Sequence, residues 1–230
     1  METLTIIKRI ENAKSKDELQ DLIRDLKADY LKEGNVKGKK DITIIKNFIK
    51  GTFNPTLKGS YFVKDTENTY ALCDGYRLLE TISKEAEDLL KEFYNKEITF
   101  NTGYENITSS IDDVIEYEVD TQKLDETIKR NSLLKRTDKP HPFIISYGEN
   151  NIIALNCSFL KDFITLMKTN KIYIEKNPTG ILRDESSGEK FANLCISPIS
   201  IVGNDYRGII LPIRVETQFC KKCLEEQNQN

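Results

Sequence analysis

The sequence predicts an α+β protein of two similar units in tandem behind a short helical segment, and three observations carry that prediction. An order of helix, two strands, helix and further strands begins near Asp41 and begins again near Asp120. Within the segments, apolar residues recur at helical spacing or in β-branched and aromatic runs. Clusters of Gly, Pro, Asn and Asp stand between them. The chain accordingly divides into an N-terminal helical segment at 1–40, a first unit at 41–119, a second at 120–215 and a polar C-terminal tail at 216–230.

In the leading segment, Ser15 and Glu18 make a capping box. Leu19, Leu22, Ile23, Leu26 and Tyr30 share one helical face, and Gly34 supplies a stop. Residues 35–40 carry two glycines and three lysines and read as a linker. The first unit opens with a helix over 42–50 and passes Asn54-Pro55 into strands near 57–63 and 69–72, with 64–68 as their turn. Asp74-Gly75 then marks a tight strand-to-helix corner with Arg77 and Leu78 at its rim, followed by a helix from Ser83 to about Tyr94. Residues 98–100 and 114–119 are further strand candidates.

The second unit repeats the order. Asp120 caps a helix over 121–130, and strands are expected at 143–146 and 151–156. Ser158 caps a helix over 159–168, and four strands follow at 171–175, 180–183, 191–201 and 207–215. Two similar α+β units end to end are the simplest architecture for that order.

Charge narrows the function classes. The 230 residues hold 34 Lys and Arg against 37 Asp and Glu, a net charge of -3. This excludes a uniformly basic nucleic-acid binder but leaves room for a basic stripe on one face. Such stripes are present: Lys123, Thr127 and Arg130 recur at helical spacing opposite Leu124 and Ile128. Lys161, Thr165 and Lys168 do the same opposite Phe159, Phe163 and Met167, and Lys46 and Lys50 make a shorter version.

No run approaches the ~20 apolar residues needed to cross a bilayer, so a cytoplasmic protein without membrane contact is expected. Five cysteines, an odd number, fit a reducing compartment. Cys73, Cys157 and Cys195 lie in apolar stretches and read as buried thiols. Cys220 and Cys223 form a CxxC without a second pair, so no metal site and no cofactor are expected. The single histidine, His141, sits between Pro140 and Pro142 and reads as a linker residue. With no phosphate-binding loop, dinucleotide fingerprint or HExxH, the chain is expected not to be an enzyme, and no catalytic residue is assigned.

Two motifs carry a family resemblance. Leu72-Cys73-Asp74-Gly75-Tyr76-Arg77-Leu78 resembles the ATDGHRL stretch of bacterial DNA polymerase III β sliding clamps. Ser197-Pro198-Ile199-Ser200-Ile201, then Tyr206-Arg207, then Ile210-Leu211-Pro212-Ile213-Arg214-Val215 resembles the strand pair that closes their last domain and ends in MPMRL. Residues 154–167 and 171–175 resemble the passage between, so the likeness runs over roughly 41–215 and corresponds to the second and third clamp domains.

That resemblance implies two tandem DNA-clamp-like domains, with helices on one face and antiparallel sheets on the other, whose helices line a hole holding duplex DNA. Lys46, Lys50, Lys123, Arg130, Lys161 and Lys168 would then face the DNA without reading its sequence. It also implies a hydrophobic pocket for short linear peptides of a DNA polymerase or other replication and repair proteins. Carried over residue by residue, that pocket falls on Cys73, Gly75, Tyr76, Arg77 and Leu78 together with Leu211, Pro212, Ile213 and Arg214. The function implied is a processivity factor of DNA replication or repair, shortened as in a phage or mobile element; a monomeric adaptor or decoy that binds clamp-interaction peptides is the alternative. A six-domain ring would need a homotrimer of this chain. Cys73 stands where the family has threonine, Tyr76 where it has histidine, and residues 216–230 continue past the family's C-terminus.

Overall fold

The computed structural model describes residues 39–52, 63–66, 69–93, 113–178 and 180–228. The helix and linker expected at 1–38 and the strand candidate at 98–100 lie outside these residues. The chain forms two compact units, 1–47 and 48–230. Of the first, the described part is the opening of helix α1 (Lys39–Thr52).

The second unit, after the remainder of α1, runs β1 (Val63–Thr66), β2 (Thr69–Cys73), β3 (Arg77–Thr81), α2 (Lys84–Phe93) and β4 (Val114–Glu118). It continues with α3 (Thr121–Ser132), β5 (Phe143–Tyr147), β6 (Asn151–Leu155), α4 (Cys157–Met167), β7 (Lys171–Glu175) and β8 (Gly180–Arg183). Last come β9 (Lys190–Leu194), β10 (Ile199–Val202), β11 (Tyr206–Ile210) and α5 (Thr217–Asn228). An α+β protein with two sheets rich in antiparallel pairs is the class the sequence predicts.

The larger sheet has the order β1-β2-β3-β11-β10-β7-β4 and is antiparallel throughout. It draws strands from both stretches that the sequence separates at residue 119. Their junction is the β3–β11 pair, in which Arg77 faces Ile210, Leu78 faces Ile209 and Leu79 faces Gly208. Successive side chains of a strand point to opposite faces, so Leu79 and Gly208 turn toward α4 while Leu78 turns away. Gly208 is required there: an added Cβ would lie 2.6 Å from Phe163 Cε2 and 2.9 Å from Ile201 Cγ2. The smaller sheet, β5-β6-β9-β8, contains one parallel pair, β6 with β9.

Several elements differ from the sequence expectation. Strand β1 continues through Lys64, Asp65 and Thr66, where a turn is expected, because the hairpin closes with Thr66 opposite Thr69. The supposed strand-to-helix corner at Asp74-Gly75 is a hairpin turn, and β3 follows it before α2 begins. A single strand over 191–201 is instead β9 and β10, which belong to different sheets; Pro198, without an N–H to donate, falls in the break. For the same reason β11 stops at Ile210, ahead of Pro212.

Both central helices have Asx caps. Asp120 caps α3 as expected, its side chain accepting from the amides of Gln122 and Lys123. Helix α4 is capped by Asn156 rather than Ser158, with the Asn156 side chain accepting from Ser158 and Phe159.

The polar tail is also corrected, because it forms helix α5. Its Cys220 and Cys223 are fully buried in a cluster with Ile144, Ile152, Ala154, Leu182, Ala192 and Leu194, while Phe219 and Leu224 pack beside them. One apolar stripe in an otherwise polar segment suffices to dock it on the smaller sheet. Gln227 completes the seal: its side chain accepts from the Ile144 amide at 2.9 Å and donates to the Ile144 carbonyl at 3.4 Å. Those are backbone groups of the edge strand β5, which would otherwise need water.

Candidate functional site

The β2–β3 turn is set by one carboxylate. Asp74 Oδ1 accepts the amides of Tyr76 at 3.0 Å and Arg77 at 2.8 Å, and the Asp74 amide donates to the Arg77 carbonyl at 3.1 Å. Gly75 supplies the positive φ of 87° that this turn demands. Asp74 Oδ2 accepts from Arg77 Nε at 2.8 Å.

Arg77 is not a rim residue. It is 7% exposed, and its Nη1 donates to Asp162 Oδ2 of α4 at 3.0 Å. Its guanidinium lies 4.1 Å from the ring centre of Phe159, 4.8 Å from that of Phe48 and 5.9 Å from that of Phe163. A planar, weakly hydrated cation lying between aromatic faces, with Nε and Nη1 each donating to a carboxylate, tolerates burial here. Leu78 and Cys73 point to the opposite face and are buried with Ala71 and Ile209. Burial pushes the Cys73 thiol up to about 11.

What the turn presents outward is Tyr76, which is 51% exposed with its ring 6.3 Å from that of Phe159. The chain end expected to meet this turn does so. The Leu211 amide donates to the Tyr76 carbonyl at 2.8 Å, and the Ile213 amide donates to the Ala154 carbonyl at 2.9 Å. Leu211, Pro212 and Ile213 are half-buried, and Arg214 is exposed. The segment therefore crosses from the larger sheet to the smaller one, where Ile213 and Val215 pack against the cluster under α5.

Of the nine predicted pocket residues, Tyr76, Leu211, Pro212 and Arg214 have accessible side chains at this junction, with Ile213 shared between surface and core. Phe159 belongs to the surface beside Tyr76. Sequence periodicity reads it only as part of the apolar stripe of its helix.

The basic residues separate into distinct settings. Lys46 and Lys168 are exposed, Lys168 at the left-handed C-cap of α4 with φ of 55°. Lys123 is half-buried. Arg130 is engaged by α5 through an ion pair with Glu226 at 2.8 Å, and Lys161 pairs with Asp125 at 2.6 Å. Thr127, expected on the exposed stripe, is buried and donates its hydroxyl to the Lys123 carbonyl at 2.8 Å. The side chain of Lys50 lies outside the described residues.

His141 is not a bare linker residue: its Nδ1 lies 3.0 Å from Glu226 Oε2, out of line for a hydrogen bond, and its ring meets Phe219 edge-on at 5.5 Å. Among the described residues no group of His, Cys, Asp and Glu has metal-binding geometry, and no helix is long and apolar enough to cross a membrane.

Comparison with known proteins finds no matching family model and no matching curated protein. Solved structures do match. A Eubacterium rectale protein assigned as a DNA polymerase III beta subunit aligns at 13% identity and a TM-score of 0.45, covering 76% of this chain and 63% of that one. DNA polymerase III beta subunit from Thermotoga maritima aligns at 13% identity and 0.41, with the same coverage. The DNA polymerase sliding clamp from Pseudomonas aeruginosa aligns at 11% identity and 0.41, covering 76% and 65%. The alignment spans less than two thirds of each of these structures.

Proposed function

We propose that this chain is a non-enzymatic, sliding-clamp-like processivity factor that tethers replication or repair proteins to duplex DNA through a peptide-binding surface at the Tyr76–Leu211 junction. One observation carries the reading. The two motifs that resemble the halves of the clamp pocket are far apart in sequence, yet they are joined by the β3–β11 pair and the Leu211-to-Tyr76 hydrogen bond. A half-exposed tyrosine beside a phenylalanine, a leucine and a proline offers apolar walls to a peptide anchor, and Arg214 at the edge can bond peptide carbonyls. Lys123 and Lys168 are the residues offered to phosphates, whose contacts need no base recognition.

Titration with a fluorescein-labelled Gln-Leu-Ser-Leu-Phe peptide tests the surface. Retention on nicked circular DNA, lost when the circle is linearised, tests encirclement. Saturable peptide binding that is weakened by Pro212→Ala is expected; absence of binding to the intact chain removes the reading.

A second reading has its own support. Arg130 and Lys161 spend their charge on Glu226 and Asp125, which weakens the basic face. That favours an adaptor or decoy that binds clamp-interaction peptides without encircling DNA. A monomer by light scattering that binds the peptide but is not retained on circular DNA selects it over the homotrimeric ring.

A further inference from the structure

Arg77 has the residue type of a peptide-contacting arginine but the surroundings of a core residue. Its Nε reaches Asp74 Oδ2, its Nη1 reaches Asp162 Oδ2, and Phe48 and Phe159 lie against its guanidinium. The same Asp74 carboxylate holds the amides of Tyr76 and Arg77, so the arginine fixes the rotamer that fixes the turn. The turn in turn sets the carbonyl of Tyr76 that accepts from Leu211.

We infer that Arg77 is a positioning residue: clamped between Asp74 and Asp162, it holds the Tyr76–Leu211 junction against α4 without touching the ligand. This inference rests on the proposed peptide surface for its consequence in binding, but the clamp itself is measurable without a ligand. Asp162 thereby becomes a determinant of the surface although it belongs to another element. It is one turn away from Phe159 on α4, and the two act on the arginine together, one by charge and one through its ring face.

Lysine cannot replace the arginine here. A single ammonium lacks the planar fork that reaches both carboxylates while lying flat between aromatic rings. The geometry therefore requires that Arg77→Lys fail to rescue, and that Asp162→Asn reproduce the defect from the opposite side.

The experiment uses the full chain and two readouts: anisotropy titration with the labelled Gln-Leu-Ser-Leu-Phe peptide, and amide hydrogen exchange at Leu211 with Ile153, in the buried strand β6, as reference. Expected are roughly tenfold weaker peptide binding and roughly tenfold faster Leu211 exchange in both Arg77→Lys and Asp162→Asn, with Ile153 exchange unchanged and the double variant no worse than either single one. Equal acceleration at Leu211 and Ile153 would mean general destabilisation and would overturn the assignment. Weakened binding in Arg77→Lys with Leu211 protection intact would make the arginine a direct ligand contact, which also overturns it. If the unmodified chain does not bind the peptide, the proposed function fails, and selective Leu211 exchange in the two variants still decides for or against the clamp.

Discussion

The backbone amide of Leu211 donates to the carbonyl of Tyr76 at 2.8 Å, and this bond extends the β3–β11 ladder past the point where β11 ends. Two segments with little meaning apart thereby form one surface, whose accessible side chains are Tyr76, Leu211 and Pro212. Tyr76→Ala and Pro212→Ala are expected to weaken peptide binding by ~1–2 kcal/mol each, the scale of aromatic and packed anchors at an interface. Both should leave circular dichroism unchanged, since neither side chain is fully buried. Unaltered affinity in both variants would separate the junction from binding.

Arg77→Ala has a different expected outcome. It breaks the buried Arg77–Asp74 ion pair and removes the Asp162 contact, so unfolding in urea should shift by about 3 kcal/mol, the low end for breaking a buried pair. A midpoint equal to that of the unmodified protein would show that the two carboxylates find other partners.

Gly208→Ala probes the packing of α4 on the larger sheet. The added methyl meets the Phe163 ring and Ile201, and relief requires the helix to move. A loss of ~1–3 kcal/mol is expected from overpacking. Pairing the change with Phe163→Leu should recover part of it in the same denaturation series.

The buried thiols set an alkaline limit. Burial pushes Cys157 and Cys220 up to about 12 and Cys73 and Cys223 up to about 11, from an ordinary value of 9.0. The folded state disfavours the thiolate, so the stabilisation is fully present below pH 9 and is lost as pH rises toward 11 and 12. Thermal stability should therefore fall above pH 9. In the native state at pH 8, alkylation by iodoacetamide should be slow at all four and fast only after unfolding; rapid native labelling of Cys220 would show that α5 opens readily.

Charge reversal distinguishes the basic residues by their setting. Lys123→Glu with Lys168→Glu should reduce DNA retention and lower the salt dependence of binding by about one unit for each phosphate left unneutralised. Arg130→Glu should instead place like charges against Glu226 and loosen α5, read as increased binding of a hydrophobic dye. Removal of 216–230 should give the same dye signal more strongly, because it uncovers Ile144, Ala154 and Leu194.

Local chemistry made much of this protein legible. Asp120 before Thr121, Asn151–Leu155 as a β-branched run, and the strand at Lys171–Glu175 announce themselves through capping and alternation, which act over a few residues. The approach of Leu211 to Tyr76 was available only through the likeness of two motifs to a known family, and the structure brings those segments together.

Three features required the tertiary structure. Strand β3 is polar and apolar in nearly equal parts and becomes a strand because β2 and β11 pair with both of its edges. The burial of Arg77 depends on Asp162 and Phe159, more than eighty residues away, and no local pattern announces such a partner. The tail folds because its two cysteines meet the open face of the smaller sheet, an apolar surface that exists only once β5, β6, β9 and β8 are assembled. Sequence alone determined the α+β class, the Asp120 cap and most strands, since propensity and periodicity are properties of short segments. Which arginine is core, which basic residues are engaged and where the chain end docks were decided by long-range packing, which supplies the partners that make burial favourable.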